Sequence, residues 1–482
     1  MTPLRLFSIL LLSGAACATP AAFAQTKNAA QTPAPTRDDK IAESKIGGIK
    51  IDGIWTGSLH LGAVSLRLAF KIATTGDGLS AQMQSPDQSP SWIPVSAAHL
   101  EAGKLRMEVQ SLSVVFEGAV APDGQSVNGT FTQRGQPIPL ELKRAADGTV
   151  TELRRPQNPS HPYPYREEEV SYPSKAQGVT LAATLTLPEG KGPFPAVLLI
   201  AGSGPHDRDE TLMAHKPFLV LADALTRKGI AVLRADKRGV AKSTGSYDTA
   251  TTEDFADDAE AGLAFLGKRA EIDPKHIGLI GHSEGGLIAP IVAARNHNVA
   301  FIIMMAGPGV AGDRIIVAQS ELLAKASGAP SAAIETATNT QRQIFNLLKQ
   351  EKDPATLDQK LHALLATSGA TPESKTQIEL LESPWMRSFV ALDPAVALKK
   401  LTCPVLVLNG EKDLQVPPAL NLPAIRSALN QAGNQHYEID ELPGLNHLFQ
   451  TAKTGLPIEY AQIDETISPV VLDKIAAWIL HQ

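Results

Sequence analysis

The chain has 482 residues, 43% hydrophobic and 20% charged, with a formal net charge of −6. That is the composition of a globular protein, and no apolar run beyond the N-terminus is long enough to span a bilayer. The length exceeds one ordinary core and predicts roughly two or three structural units, while the mildly acidic balance leaves no electrostatic footprint for nucleic acid as a partner.

Residues 1–24 place Arg5 before the apolar stretch 6–12 and end on the small-residue site Ala22-Phe23-Ala24, the pattern of a cleavable export signal. Gly14 stands where the signal of a lipid-modified Cys17 usually carries Leu, so cleavage after Ala24 and an exported, periplasmic or secreted protein are expected. Loss of Arg5 takes the net charge from −6 to about −7. Cys17 leaves with the signal and Cys403 remains alone, which precludes an intrachain disulfide. Residues 25–46, rich in Ala, Thr, Pro and Gln, predict a disordered tether.

Across 47–145 the pattern has period two. Val64, Leu66, Leu68, Phe70 and Ile72 alternate with Ser65, Arg67, Ala69 and Lys71, and the same rhythm recurs at Leu105, Met107 and Val109 and at Leu112, Val114 and Phe116. Turn signals at Asp77-Gly78 and Asp123-Gly124 separate the runs, which predicts a small all-β domain, a barrel or a sandwich. The stretch "RRPQNPSHPYPYREEE" (154–169) marks a boundary, and an α/β domain is expected over 160–482. Its strand-like runs are "FPAVLLIAG" (194–202), "GIAVLRAD" (229–236), "HIGLIGHS" (276–283), "VAFIIMMAG" (299–307) and "CPVLVLNG" (403–410), each separated by helical sequence. That rhythm predicts a mostly parallel sheet covered on both faces, and the helical stretch at about 308–400 predicts a cap inserted over its carboxyl edge.

Gly281-His282-Ser283-Glu284-Gly285 fits G-x-S-x-G, with a strand before it and a helix after. Glycine at the flanks permits a turn sharp enough to lift the serine hydroxyl above the sheet edge. A serine hydroxyl is a poor nucleophile until a base takes its proton, so a histidine and an orienting carboxylate are required. Asp413 follows the strand-like run 403–410 and His447 lies in "LPGLNHLFQ", in the order serine, acid, histidine; Asp440 is the alternative acid. The oxyanion formed on attack needs backbone N–H donors, expected from Glu284 and Ser203. "HDRDE" (206–210) reads as a salt-bridged loop rather than a metal site, and "ADKRGVAKSTG" (235–245) is not a phosphate loop, Asp236 and Arg238 instead bracing the site. Trp385 and Phe389, four residues apart, either line an acyl pocket and bind substrate or belong to the core.

The stretches "LIAGSGPHDRDE", "LRADKRGVAKSTG", "GLIGHSEGG", "LNGEKDLQVP" and "LPGLNHLF" resemble the loops of the α/β-hydrolase family, in particular exported bacterial esterases and serine aminopeptidase-like hydrolases. The resemblance covers about 171–482, and "IDGIWTGSLHLG" with "SPDQSPSWIPV" is similar to the small β-domain that precedes some of these enzymes. Ala201-Gly202-Ser203-Gly204 departs from the His-Gly-Gly of many lipases and esterases. The expectation is a serine hydrolase that cleaves a small-molecule carboxylic ester through an acyl-enzyme, with no metal or organic cofactor. Peptidase, amidase or thioesterase activity on the same fold, or a non-catalytic envelope-binding module, stays open, as does the oligomeric state.

Overall fold

A computed structural model describes residues 51–482 apart from 62–63, 77, 87–91, 134–135, 147, 151–152 and 368–374. The expected export signal and tether lie outside these residues. Two compact units follow one another, the second running from Arg155 to Gln482 apart from Leu212–Ala214. Among the described residues no helix is long and apolar enough to cross a membrane.

The first unit is an antiparallel half-barrel. Its strands are β1 (Gly53–Leu61), β2 (Val64–Thr75), β3 (Gly78–Gln84), β4 (Ile93–Pro94), β5 (Ala97–Glu101), β6 (Lys104–Val109), β7 (Val114–Val120), β8 (Ser126–Gln133) and β9 (Gln136–Arg144), in the order 4-3-2-1-9-8-7-6-5. The period-two pattern explains the core: Leu68, Phe70 and Ile72 of β2 meet Leu105, Met107 and Val109 of β6 and Phe116 of β7 around the fully buried Trp55. One extended stretch serves both ends of the sheet, because β4 pairs with β3 and β5 with β6. Between them Val95 N–H donates to Ala81 at 3.0 Å and Ser96 N–H to Glu108 at 2.7 Å. Leu112, expected in register with Val114, instead ends a 3₁₀ turn (Gln110–Leu112), because Ser113 takes φ 51° and reverses the chain there.

In the second unit the strands are β10 (Arg166–Pro173), β11 (Thr180–Leu187), β12 (Phe194–Ile200), β13 (Ala231–Ala235), β14 (Ile272–His282), β15 (Ile302–Met305), β16 (Val405–Gly410) and β17 (Tyr437–Leu442), in the order 10-11-13-12-14-15-16-17. From β13 to β17 the pairings are parallel; β10 and β11 join antiparallel. The sheet is apolar on both faces, as parallel strands covered by helices must be. Leu198, Leu279, Ile302 and Val405 face one layer, with α2 (Thr252–Leu266), α3 (Glu284–Arg295) and α10 (Pro418–Gln431). Val197, Leu199, Ile280, Ile303 and Leu406 face the other, with α1 (Pro217–Thr226) and α11 (Pro469–Ile479).

The boundary stretch 154–169 is not all linker, since β10 starts at Arg166. Its charges are satisfied as an edge strand's should be, Glu168 pairing with Arg269 and Glu169 with Arg208, both at 2.8 Å, while Tyr172 turns into the core. Between β15 and β16 stand α4 (Gly312–Ala326), α5 (Ser331–Gln350), α6 (Pro354–Thr367), α7 (Lys375–Glu382), α8 (Pro384–Ala391) and α9 (Ala395–Leu398). They form the expected helical insertion and bury a cluster of their own, including Phe345, Leu348, Leu357 and Leu361.

Candidate active site

At the carboxyl end of β14 the chain turns straight into α3, and Ser283 is the turn. It sits at φ 53° and ψ −117°, a strained conformation for a residue with a side chain. Its N–H donates to Met305 of β15 and its carbonyl accepts from Gly286, each at 2.9 Å. The flanking glycines are obligatory for close approach. A Cβ on Gly281 would lie 1.9 Å from the Gly285 carbonyl oxygen, and one on Gly285 would lie 1.9 Å from that of Ile200.

Two strands away, the loop after β16 holds Asp413, which is 2% exposed. Its Oδ1 accepts from Gln415 and Val416 N–H, both at 2.8 Å, and its Oδ2 meets His447 Nδ1 at 2.8 Å and Asn409 Nδ2 at 3.2 Å. With Nδ1–H donated to a carboxylate, the neutral imidazole keeps its lone pair on Nε2, the form a general base needs. Asp440, the alternative acid, lies on β17 in an ion pair with Lys474 at 2.6 Å. His282, the neighbour of Ser283, links the serine turn to the histidine loop: its Nε2 donates to the His447 carbonyl at 3.0 Å, and the two ring centroids lie 4.9 Å apart.

The loop after β12 completes the arrangement. A Cβ on Gly202 would lie 3.2 Å from Ser283 Cβ, so this loop passes directly beside the serine. Gly202 N–H is taken by Glu210 Oε1 at 2.6 Å, whereas Ser203 N–H has no acceptor among the described residues. Glu284 N–H opens α3 and, as the first helical donor, has no intrahelical partner. "HDRDE" is a salt-bridged loop: Arg208 grips Asp236, Asp209 pairs with Arg234 and Lys216, and Asp207 caps Thr211. Arg238 binds Asp254 and Asp258, so it and Asp236 brace the loops as anticipated.

Trp385 and Phe389 stack on one another with centroids 5.1 Å apart but have different surroundings. Phe389 is 6% exposed and belongs to the sheet's core. Trp385 is half-buried, and its indole N–H donates to Glu284 Oε1 at 2.7 Å, which carries α8 to the residue beside Ser283.

Sequence reasoning missed a set of buried charges at the motif's variable positions. His282 Nδ1 faces Glu210 at 3.0 Å, so both of its ring nitrogens meet acceptors, an arrangement that favours the protonated ring. Burial lowers its pKa, but the Glu210 carboxylate and the His447 carbonyl outweigh that and the net shift is upward. Glu210, which burial alone would raise, is drawn down in turn by His282. On the other side Glu284, 2% exposed, accepts from Thr252 at 2.8 Å and pairs with Lys237 at 3.4 Å. The only sequence signal was that both variable positions of G-x-S-x-G are ionisable.

A mostly parallel sheet with a serine turn after its central strand, an acid after β16 and a histidine after β17 is the architecture of an α/β-hydrolase, and the second unit has that fold. Residues 216–451 match the family described as serine aminopeptidase, S33. The chain is similar to the esterase EstD of Thermotoga maritima, 28% identical over 352 residues that make up 73% of this chain and 75% of that protein. Among solved structures, an esterase of Pyrococcus furiosus is similar at 15% identity over 69% of this chain and 97% of its own, with a TM-score of 0.41. Est1E of Butyrivibrio proteoclasticus, solved with ferulic acid, is similar at 17% identity over 65% of this chain and 98% of its own, with a TM-score of 0.39.

Proposed function

We propose that the protein is an exported serine hydrolase of small carboxylic esters. The observation that carries this reading is the buried Asp413–His447 bond in the loops beside the strained Ser283 turn. His447 Nε2 takes the Ser283 proton as Oγ bonds to the acyl carbon, and the carbonyl electrons move onto oxygen, where Ser203 and Glu284 N–H groups stabilise them. Collapse of this intermediate breaks the ester C–O bond, and His447 returns the proton to the departing alcohol. Water then gives its proton to His447 and attacks the acyl-enzyme, and Ser283 leaves with that proton. The residues and the hydrolytic water supply every proton and charge in this sequence, so the proposed steps call on no added cofactor.

Esters are favoured over amino-terminal peptides by the state of Glu284. A carboxylate beside the nucleophile would suit a substrate ammonium, but this one is already engaged by Lys237, Thr252 and Trp385. The similarity to the Thermotoga maritima esterase supports the same choice. The test is a panel of p-nitrophenyl esters of graded chain length beside aminoacyl p-nitroanilides, with fluorophosphonate labelling. Ester turnover and an adduct on Ser283, both abolished in Ser283→Ala, are expected. A Ser283→Ala enzyme keeping more than about a tenth of kcat would mean that another residue is the nucleophile. Export is tested by N-terminal sequencing of the mature protein, expected to begin at Gln25.

A further inference from the structure

The charges flanking Ser283 converge on one peptide. His282 and Glu284 each have a buried counter-ion, Glu210 and Lys237, and both counter-ions bind Gly202 in the loop after β12. Glu210 Oε1 accepts the Gly202 N–H at 2.6 Å, and Lys237 Nζ donates to the Gly202 carbonyl at 2.5 Å. These partners are far apart in sequence but buried together: Lys237 is 9% exposed, Glu210 4%, His282 7% and Glu284 2%. Burying two ion pairs is expensive in a structure that needs only stability, because well-packed apolar groups serve as well or better. Their shared grip on one glycine points to a different use.

In a trans peptide the carbonyl and the following N–H lie on opposite edges of one plane. The Gly202–Ser203 bond is not among the cis peptides, so anchoring the Gly202 oxygen sets the direction of the Ser203 N–H. That N–H is the donor assigned to the oxyanion, and it contributes only if it is aimed before charge develops. Gly202 has no side chain to fix its own dihedral angles, and a side chain there would crowd Ser283 Cβ at 3.2 Å. The orientation must therefore be imposed from outside, by a donor on the carbonyl side. Lys237 is that donor.

We propose that Lys237 is the positioning residue of the oxyanion hole: its buried ammonium holds the Gly202 carbonyl so that the Ser203 N–H is aimed at the oxyanion site beside Ser283. This role rests on the reading of Ser283 as nucleophile. The groups facing Lys237 are the carboxylates of Glu284, Glu210 and Asp258, the imidazole of His206, and the rings of Phe255, 4.4 Å away, and Tyr247, 6.0 Å away. Burial lowers the Lys237 pKa from 10.5, and Glu284, Glu210 and Asp258 restore only part of it. The ammonium is thus lost at a lower pH than an exposed lysine would lose it, and the Gly202 carbonyl is released with it.

The test compares Lys237→Met, Lys237→Arg and the double variant Lys237→Met/Glu284→Gln, which removes both charges of the pair and so spares the fold an unpaired buried carboxylate. Each is assayed for kcat and KM on a p-nitrophenyl ester, for the inhibition constant of phenylboronic acid, whose tetrahedral serine adduct occupies the oxyanion site, and for melting temperature. The expected result is a loss of about 10²- to 10³-fold in kcat for Lys237→Met, the size of a lost oxyanion donor, with boronate binding weakened in parallel and KM little changed. The double variant should recover the melting temperature but not kcat. Lys237→Arg, which does not titrate, should restore turnover and carry it to higher pH than the wild type. A folded double variant with kcat and boronate affinity within about threefold of wild type overturns the proposal. An active Ser283→Ala enzyme removes instead the reading on which it rests, so the two failures are told apart by different variants.

Discussion

Replacing Asp413 by asparagine separates catalysis from stability with a single atom. The amide must decide which side its NH₂ faces. Toward Gln415 and Val416 it would strand two buried N–H donors that now reach Oδ1 at 2.8 Å. Toward His447 it meets one ring nitrogen and displaces only the longer bond from Asn409 Nδ2, which keeps its bond to the Val416 carbonyl at 3.0 Å. At about 1–3 kcal/mol for each stranded donor, the second orientation wins. His447 Nδ1 then accepts instead of donating, the ring proton moves to Nε2, and the lone pair that the proposed mechanism requires there is lost. The expected cost is on the order of 10⁴ in kcat, or about 5.5 kcal/mol of transition-state stabilisation, with part of the activity recovered at alkaline pH as hydroxide substitutes for the base. The assay is kcat on a p-nitrophenyl ester at neutral and alkaline pH, with circular dichroism to confirm folding. Asp440→Asn, which breaks only the surface pair with Lys474, should leave kcat intact and cost about 1 kcal/mol of stability or less. A near-normal Asp413→Asn enzyme beside a crippled Asp440→Asn one refutes this reasoning.

Trp385→Ala should change the preference among acyl chain lengths more than the melting temperature, whereas Phe389→Ala, deleting a ring only 6% exposed, should cost about 3–5 kcal/mol of stability; equal effects from both would place Trp385 in the core as well. Gly285→Ala should lower stability by more than about 4 kcal/mol or abolish soluble expression, since its Cβ would lie 1.9 Å from a backbone oxygen, and a wild-type melting curve would show that the turn can relax. The Glu210–His282 pair gives stability a signed pH dependence. Glu210 is depressed from 4.5, so its contribution is present above that value and is lost as pH falls through the depressed pKa. His282 is raised from 6.5, so its contribution is full below that value and is lost as pH rises through the raised pKa. Urea unfolding at about pH 6 and pH 9 should show a wild-type decline that shrinks or reverses in Glu210→Gln; an undiminished decline would assign it to other groups.

The α/β unit was legible because its inner strands are mostly apolar runs, three of the five closed by glycine, a pattern that needs both faces of a sheet to be covered. The outermost strand was not. "REEEVSYP" hides its alternation behind glutamates whose partners, Arg208, Lys242 and Arg269, come from later in the chain. In the site, Ser283, Asp413 and His447 each announce themselves at the end of a strand-like run, in an order that carries chemical meaning. Glu210 and Lys237 were hidden because their significance lies in pairing across 72 and 47 residues, with His282 and Glu284, and no local period records such a distance. Phe389 and Trp385 show the limit from the other side: identical spacing and similar rings, with only the surrounding elements to distinguish core from site.

The helices between Gly312 and Ala391 bury an apolar cluster beside that of the sheet, to which they give Phe389, and among the described residues Ile316 and Trp385 pack against both. Two cores joined through so few residues need not melt together. The expected outcome in a hydrogen-exchange experiment is that amides buried in the insertion, such as those of Leu357 and Leu361, exchange while those of Leu279 and Ile280 stay protected. Since Trp385 also reaches Glu284, such an opening would withdraw the indole from the residue next to Ser283, so the surroundings of the proposed site would follow the insertion rather than the sheet.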